Sequence, residues 1–191
     1  MDTCTTPAPA RFSAAHALHD TYTAFLSPLL PVFKTQLLLS NTQAGLLSVF
    51  LQGPSLAQPF IGHAADRSSL RYLVILAPAV AAVVMSVLGA CLNYALLAAL
   101  LLVAGLSSAG LHSVGPVMAG HLSGRSLGRG MGFWMVGGEI GRTLGPIVVV
   151  TAVTWLGLGG TPWLMLGGLA ITGLLYARLR DVPGRAADAP P

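Results

Sequence analysis

Two charged residues of opposite sign, Glu139 and Arg142, lie within a long apolar stretch, in the segment GGEIGRTLGP (residues 137–146). Residues three apart share one face of a helix, so these two charges can partly neutralise each other. If the stretch crosses a membrane, each isolated charge costs about 2.5–3.5 kcal/mol at the bilayer centre, and such residues usually line a cavity or a pathway. We therefore expect Glu139 and Arg142 to bind a substrate or a proton. An ion pair that only stabilises packing is the alternative.

A second group of ionisable residues lies near the N-terminus, where His16, His19 and Asp20 are spaced so that they should share a helical face. A carboxyl group can bind a proton, and histidine titrates near neutral pH. The group therefore suits proton-coupled transport, with His112 of a later apolar stretch as a further candidate. His-x-x-His-Asp is also a plausible metal-ligand set. We favour protons because a spacing match alone is weak evidence, and we predict neither a bound metal nor another cofactor.

The elements that must position these residues follow from the composition. Hydrophobic residues make up 54% of the 191 residues and charged residues only 8%, with a mean hydropathy of +0.74. Soluble domains carry about 25% charged residues, so lipid must be part of the surroundings. A helix needs roughly 20 apolar residues to cross a bilayer, and six segments reach that length: residues 12–33, 42–62, 72–91, 95–119, 130–154 and 162–179. The sequence thus predicts an all-α, integral membrane six-helix bundle.

The basic residues predict the orientation of the bundle. Eight arginines lie in the tails or in the loops on one side: Arg11, Arg67, Arg71, Arg125, Arg129, Arg178, Arg180 and Arg185. The loops on the other side contain only Lys34. Because basic loops favour the cytoplasm, we predict cytoplasmic tails at residues 1–11 and 181–191 and a transmembrane domain at residues 12–180. This topology explains the basic pI of 9.6 without a nucleic-acid partner.

Glycines, prolines and one polar pair predict how the helices pack and begin. Gly137, Gly141 and Gly145 are four residues apart, and such a row of small residues lets membrane helices approach closely. Ser40 and Gln43 have the spacing of a capping box, which predicts a helix that begins after Ser40. Other prolines and glycines indicate either tolerated positions or kinks that let helices rock: Pro28, Gly53, Pro54, Pro59, Pro78, Gly110, Gly115 and Pro116.

The loop between segments two and three, GHAADRSSLR (residues 62–71), resembles the G-x-x-x-D-R-x-G-x-R motif of the major facilitator superfamily. Ser69 stands where the motif has its second glycine. The other motif positions match, at Gly62, Asp66, Arg67 and Arg71.

Four longer stretches narrow the resemblance to the N-terminal half of the fosmidomycin-resistance branch of that family. They are residues 16–34, 39–50, 111–120 and 135–146. Two positions depart from the branch. Residues 112–114 read His-Ser-Val instead of His-Pro-Glu, and residues 138–141 read Gly-Glu-Ile-Gly instead of Gly-Asn-x-Gly.

The resemblance implies one half of a twelve-helix transporter. The family is built from two six-helix halves related by an axis along the membrane normal. An even helix count leaves both termini on one side, so two copies can stand side by side in the same orientation. We therefore expect a parallel two-fold homodimer, located in a bacterial inner membrane. It would work by alternating access as an antiporter that exports a small polar or amphipathic compound in exchange for protons.

The resemblance also implies roles for individual residues. The loop aspartate of the family helps to latch the two halves, so Asp66 would meet Arg129 of the other copy. From the residues themselves, we expect Asp20 and Glu139 to bind protons. Arg142 would hold an anionic group of the substrate, or hold Glu139 when the site is empty. The glycine-rich residues 124–132 lack the Lys-Ser/Thr of a phosphate-binding loop, so we expect no ATP-driven mechanism. No enzyme site is visible in the sequence.

Three other functions remain open at this point. The chain could be a non-transporting membrane subunit, or a half that requires a different six-helix partner. It could also transport a metal ion or a metal chelate through the His/Asp cluster.

Overall fold

The computed structural model describes residues 8–67 and 70–180, and every regular element in this part of the chain is helical. Short 3-10 turns lie at Gly53–Ala57, Leu88–Ala90, Gly124–Ser126 and Leu158–Trp163. The α-helices are α1 (Ala8–Thr23), α2 (Leu26–Gln36), α3 (Asn41–Gln52), α4 (Gln58–Arg67), α5 (Arg71–Val87), α6 (Tyr94–Ser123), α7 (Leu127–Leu156) and α8 (Leu164–Leu179). The first predicted span corresponds to α1 with α2, the second to α3 with α4, and the other four to α5 through α8.

The predicted all-α membrane bundle is confirmed. Within the described residues, four helical segments are long and apolar enough to cross a membrane: Arg71–Ala90, Tyr94–Gly120, Gly124–Leu156 and Leu158–Arg178. They correspond to predicted segments three to six. The start of α1 lies beside the end of α8, where Arg11 Nη1 donates to the carbonyl oxygen of Arg178 over 3.4 Å. The first and last spans therefore have ends on the same side of the bundle.

The first two spans differ from the prediction, because each is interrupted near its middle. The first is broken at residues 24–25, between α1 and α2, and the second at the 3-10 turn Gly53–Ala57. A proline ring clashes with the carbonyl group of the residue four positions earlier. For Pro28 that residue is Ala24, in the first break, and for Pro59 it is Ser55, in the second. These clashes explain where the two helices stop. Helices α5, α6 and α7 each contain a proline and continue through it.

Two buried hydrophobic clusters form the core, and α1 passes from one to the other. Phe12 belongs to one cluster together with Trp134, and Tyr22 belongs to the other together with Phe33. Between them on α1 lie three polar residues that are at most 3% exposed: His16, His19 and Asp20. The polar group therefore lies where the two apolar clusters meet.

Glycines of α7 determine how closely α1 approaches. A Cβ atom added to Gly137, Gly141 or Gly145 would overlap a backbone carbonyl oxygen of α1, on Ser13, Ala17 and Thr21 respectively. These three acceptors are themselves four residues apart, so α1 and α7 run in the same direction at backbone contact. The predicted close approach at the glycine row is confirmed, and it fixes the position of the α1 polar group relative to α7.

Candidate functional site

Asp20 lies at the centre of a polar cluster formed by α1 and α6. His16, one turn earlier on α1, places its Nε2 atom 3.3 Å from Oδ2 of Asp20. His112 of α6 places its Nε2 atom 3.7 Å from Oδ1 of Asp20 and 3.2 Å from Nε2 of His16. Ligand-type atoms of all three residues lie within 4.8 Å of one another. The structure thus brings together three of the residues selected from the sequence.

Backbone carbonyl groups hold both imidazole rings in place. His16 Nδ1 lies 2.9 Å from the carbonyl oxygen of Trp134, and His112 Nδ1 lies 2.9 Å from that of Ser108. Because a carbonyl oxygen only accepts, each Nδ1 donates a proton, and the neutral ring presents an Nε2 lone pair to the cluster. The Trp134 ring also stacks on His16, with centroids 4.0 Å apart and an interplanar angle of 21°. The orientation of His16 is therefore fixed on two sides.

Arg142 and Glu139 of α7 stand beside this cluster. Arg142 Nη2 donates to Oε1 of Glu139 over 2.7 Å, and Arg142 Nε lies 3.8 Å from Oδ2 of Asp20. Their side chains are 52% and 66% exposed in the single chain. The pairing of the two charges agrees with their spacing. Arg142 lines a cleft, whereas Glu139 lies on the outer surface of α7 among apolar neighbours such as Ile140.

The cleft is open and has a volume of about 590 Å³. Its walls include Asp20, His112 and Arg142, and its size lies within the range of about 300–1,000 Å³ that is usual for small-molecule sites. The lining also contains six uncharged polar residues that we did not single out from the sequence: Thr23, Ser27, Gln52, Ser55, Gln58 and Ser108. Three of these residues follow one another at three-residue spacing within an apolar segment: Gln52, Ser55 and Gln58. This row of polar residues was the sequence signal that could have identified these three.

His19 does not join the cleft, although the sequence placed it on the same helical face as His16 and Asp20. It is fully buried, and its Nδ1 atom lies 3.3 Å from the carbonyl oxygen of Ala77 on α5. Consecutive residues of a helix point about 100° apart, so His19 and Asp20 face different neighbours. The imidazole that stands beside Asp20 from another helix is His112.

The residues expected to form a gating loop lie near one end of the bundle. Gly62 and Arg67 belong to α4, Arg71 begins α5, and Arg129 is in the first turn of α7. Arg67 and Arg129 are exposed. Arg71 Nη2 donates to the hydroxyl of Tyr72 over 3.3 Å, and its guanidinium lies 5.1 Å from the centre of that ring. The side chain of Asp66 and residues 68–69 lie outside the described part of the chain, so the contact between Asp66 and Arg129 stays a prediction.

Two known proteins resemble this chain over most of its length. The fosmidomycin resistance protein of Escherichia coli (strain K12) is 26% identical over 160 residues, which cover 82% of this chain and 39% of the relative. The uncharacterised MFS-type transporter YfnC of Bacillus subtilis (strain 168) is 27% identical over 165 residues, which cover 84% of this chain and 40% of the relative. No solved structure matches. The chain thus spans less than half the length of either relative, and the name of the second describes a transporter.

The sequence model of the Major Facilitator Superfamily matches residues 12–191. That match begins where the first predicted span begins, and it includes every residue of the cleft. It agrees with the helical membrane bundle and with the loop motif at residues 62–71. This chain therefore belongs to the major facilitator superfamily of membrane transporters.

Proposed function

We propose that this chain is a secondary active transporter that exports a small polar or amphipathic compound with an anionic group, in exchange for protons. One observation carries the proposal. A guanidinium group, that of Arg142, stands within a membrane span in the wall of an open cleft. Such a group binds anions strongly through charge-assisted hydrogen bonds, and a charge kept inside a span usually lines a transport pathway.

The ion pair between Arg142 and Glu139 supplies a means of coupling transport to protons. While Glu139 is charged, it holds the guanidinium at 2.7 Å. When the compound binds, Arg142 would donate to its anionic group and the charged carboxylate of Glu139 would accept a hydrogen bond from it. A proton on Glu139 weakens this acceptor and favours release, as exchange of the compound for protons requires. Asp20 was the other carboxylate expected to respond to protons, but it is only 3% exposed and is enclosed by two imidazoles. We therefore assign the proton-responsive role to the more accessible Glu139.

The second half of the transporter is proposed to be another copy of this chain. The relatives are more than twice as long as the regions matched, and the family uses two six-helix halves. The cleft and the charged pair on α7 are open to one side, so a parallel two-fold copy can cover both. Alternating access would follow from rocking one copy against the other. In this assembly Asp66 would meet Arg129 of the second copy, and the arginine-rich ends and both termini would lie in the cytoplasm of a bacterial inner membrane.

To test the homodimer, the chain is expressed alone and placed in nanodiscs, and the mass of the protein particle is measured. We expect the mass of two chains. Cross-linking sharpens the result, in a chain whose Cys4 and Cys91 are replaced by alanine. Ile140→Cys lies on the open face of α7 and should cross-link two copies, whereas Leu174→Cys, 70% exposed on α8, should not. A monomer with no cross-link at Ile140→Cys would instead favour a half that requires a different six-helix partner.

The transport function is tested in proteoliposomes that contain a pH-sensitive dye. Fosmidomycin, the compound in the name of one relative, and a panel of small organic anions serve as probes. A pH gradient should drive movement of at least one probe. Arg142→Gln should slow it at least about tenfold, as expected for a lost charge-assisted contact, and the exposed Lys34→Gln serves as control. Full transport by Arg142→Gln would overturn the role assigned to Arg142. No transport of any probe by the natural chain would favour a non-transporting subunit.

A further inference from the structure

The cluster of His16, His112 and Asp20 brings two imidazole groups and one carboxylate group close together. Both Nδ1 atoms donate to backbone carbonyl groups at 2.9 Å, so both Nε2 atoms of the neutral rings lack a proton. The two Nε2 atoms nevertheless lie 3.2 Å apart. Oxygens of Asp20 lie 3.3 and 3.7 Å from them. Three acceptors at these distances repel one another unless a positive charge lies among them.

We propose that this cluster binds a divalent transition-metal ion of the zinc class, through Nε2 of His16, Nε2 of His112 and a carboxylate oxygen of Asp20. Around a tetrahedral ion with bonds of about 2.0–2.1 Å, neighbouring ligand atoms lie about 3.3–3.4 Å apart. The two Nε2 atoms, 3.2 Å apart, and the His16 Nε2–Asp20 Oδ2 pair, 3.3 Å apart, are close to that value. His112 Nε2 lies 3.7 Å from the other carboxylate oxygen, Oδ1. Two imidazoles and one carboxylate suit Zn²⁺ and similar ions, whereas Mg²⁺ and Ca²⁺ prefer oxygen ligands alone.

The surroundings of the cluster are those of a built metal site. Each ring donates its Nδ1–H group to a backbone carbonyl, which is the contact that orients metal-binding histidines. His16 and Asp20 are 2% and 3% exposed, and Trp134 stacks on the ring of His16. The ligands are therefore held in position before an ion arrives.

The ion would remain accessible from the cleft. The side chain of His112 is 29% exposed, and it lines the cleft together with Asp20. The remaining coordination position therefore faces the cleft, where water or an anionic group of a transported compound can occupy it. This consequence for transport rests on the proposed function, but the binding of the ion itself does not.

The positive charge of Arg142 repels a metal ion at this site, so a substitution of Arg142 distinguishes the proposed metal site from the proposed transport function. Its Nε atom lies 3.8 Å from Asp20, and its positive charge is only partly offset by Glu139. Arg142→Gln removes this repulsion and should tighten metal binding. The same substitution should slow transport, because the proposed substrate loses its anion-binding group. The two readouts therefore move in opposite directions, and either proposal can fail without the other.

The test measures metal binding by the full chain in nanodiscs, purified with an affinity tag that contains no histidine. Co²⁺ is the probe, because its visible absorption reports tetrahedral coordination, and Zn²⁺ should displace it. We expect one ion per chain. His112→Gln and Asp20→Asn should each weaken binding at least about tenfold, the lower end of the loss measured even for residues that only support metal ligands. His63→Gln, an exposed histidine of α4, should bind as the natural chain does.

His112→Gln is the decisive variant, because His112 is partly exposed and its loss should leave the fold intact. Weakened binding in a variant that elutes as a folded particle supports the site. Absence of Co²⁺ absorption in the natural chain would overturn the proposal and would mean that a shared proton supplies the positive charge. Binding by His112→Gln and Asp20→Asn with unchanged affinity would overturn it equally.

Discussion

The two faces of α7 differ in the size and exposure of their side chains. The face towards α1 consists of glycines in contact with backbone, together with Trp134, which is only 2% exposed. The other face carries large side chains that are about half exposed or more, such as Met135 and Ile140, and beside them the ion pair of Glu139 with Arg142. One helix thus has a face whose partners lie within the chain and a face that residues 8–67 and 70–180 leave uncovered.

The inner face of α7 positions the residues of the site, whereas the outer face carries the charged pair that we propose takes part in transport. On the inner face, small changes in shape must move α1, because there is no space between the two backbones. On the outer face, the side chains have few neighbours, so their identity contributes little to folding of the single chain. An unpaired charge at the centre of a bilayer costs about 2.5–3.5 kcal/mol, so we expect Glu139 and Arg142 to serve transport and not the stability of this fold.

The largest effect on stability is expected from Trp134→Ala on the inner face. The indole ring fills the space above Gly115 and stacks on His16. Replacing a buried aromatic residue by alanine typically costs about 3–5 kcal/mol. Unfolding in detergent should therefore begin at a much lower denaturant concentration. Trp155→Ala on the same helix is the matched control, because Trp155 is 82% exposed. Equal losses of stability in the two variants would contradict the distinction between a buried inner face and an exposed outer face.

A smaller loss is expected from Gly141→Ala. The added Cβ atom would overlap the carbonyl oxygen of Ala17 and crowd Cβ of Asp20. Because the backbone of α1 shifts at a greater cost than a flexible side chain does, we expect the free energy of unfolding to fall by about 1–3 kcal/mol, as in other overpacked sites. Gly132→Ala is the control on the same helix, where nothing lies within 4 Å of the new atom. That variant should be neutral or slightly stabilised, since alanine favours helix by about 1 kcal/mol over glycine.

Local spacing predicted the features that depend on one or two helices. The glycine row of α7 predicted the contact with α1, because a four-residue repeat of small side chains leaves a groove on one face. The capping box at the start of α3 is also present, with Gln43 N donating to Ser40 Oγ over 3.2 Å and Ser40 N donating to Oε1 of Gln43 over 2.9 Å. Both features follow from backbone geometry within a few residues, so the sequence is sufficient to predict them.

Which residues meet at the site depends on how the helices pack together, and the spacing of residues in the sequence does not predict that packing. His19 was expected beside Asp20, but the rotation of α1 about its axis is set by the contacts of Gly137 and Gly141, and it turns His19 towards α5. His112 was selected as a lone histidine, and only the fold places it 3.2 Å from His16. Likewise, nothing local distinguishes Pro28, which follows a helix break, from Pro78, which lies within a continuous helix.

The smallest effect on stability is expected from Glu139→Gln on the outer face. Its side chain is 66% exposed and forms an ion pair with the half-exposed Arg142. Exposed ion pairs contribute only about 0–1 kcal/mol. Unfolding of the chain at concentrations where it is monomeric should therefore change by less than that amount. Transport should nevertheless lose its dependence on pH, because the proposed proton-responsive group is gone, and Glu139→Asp should restore it. A loss of stability as large as that of Gly141→Ala would instead mean that Glu139 is part of the packing within the chain, and the uncovered face would need no partner to explain it.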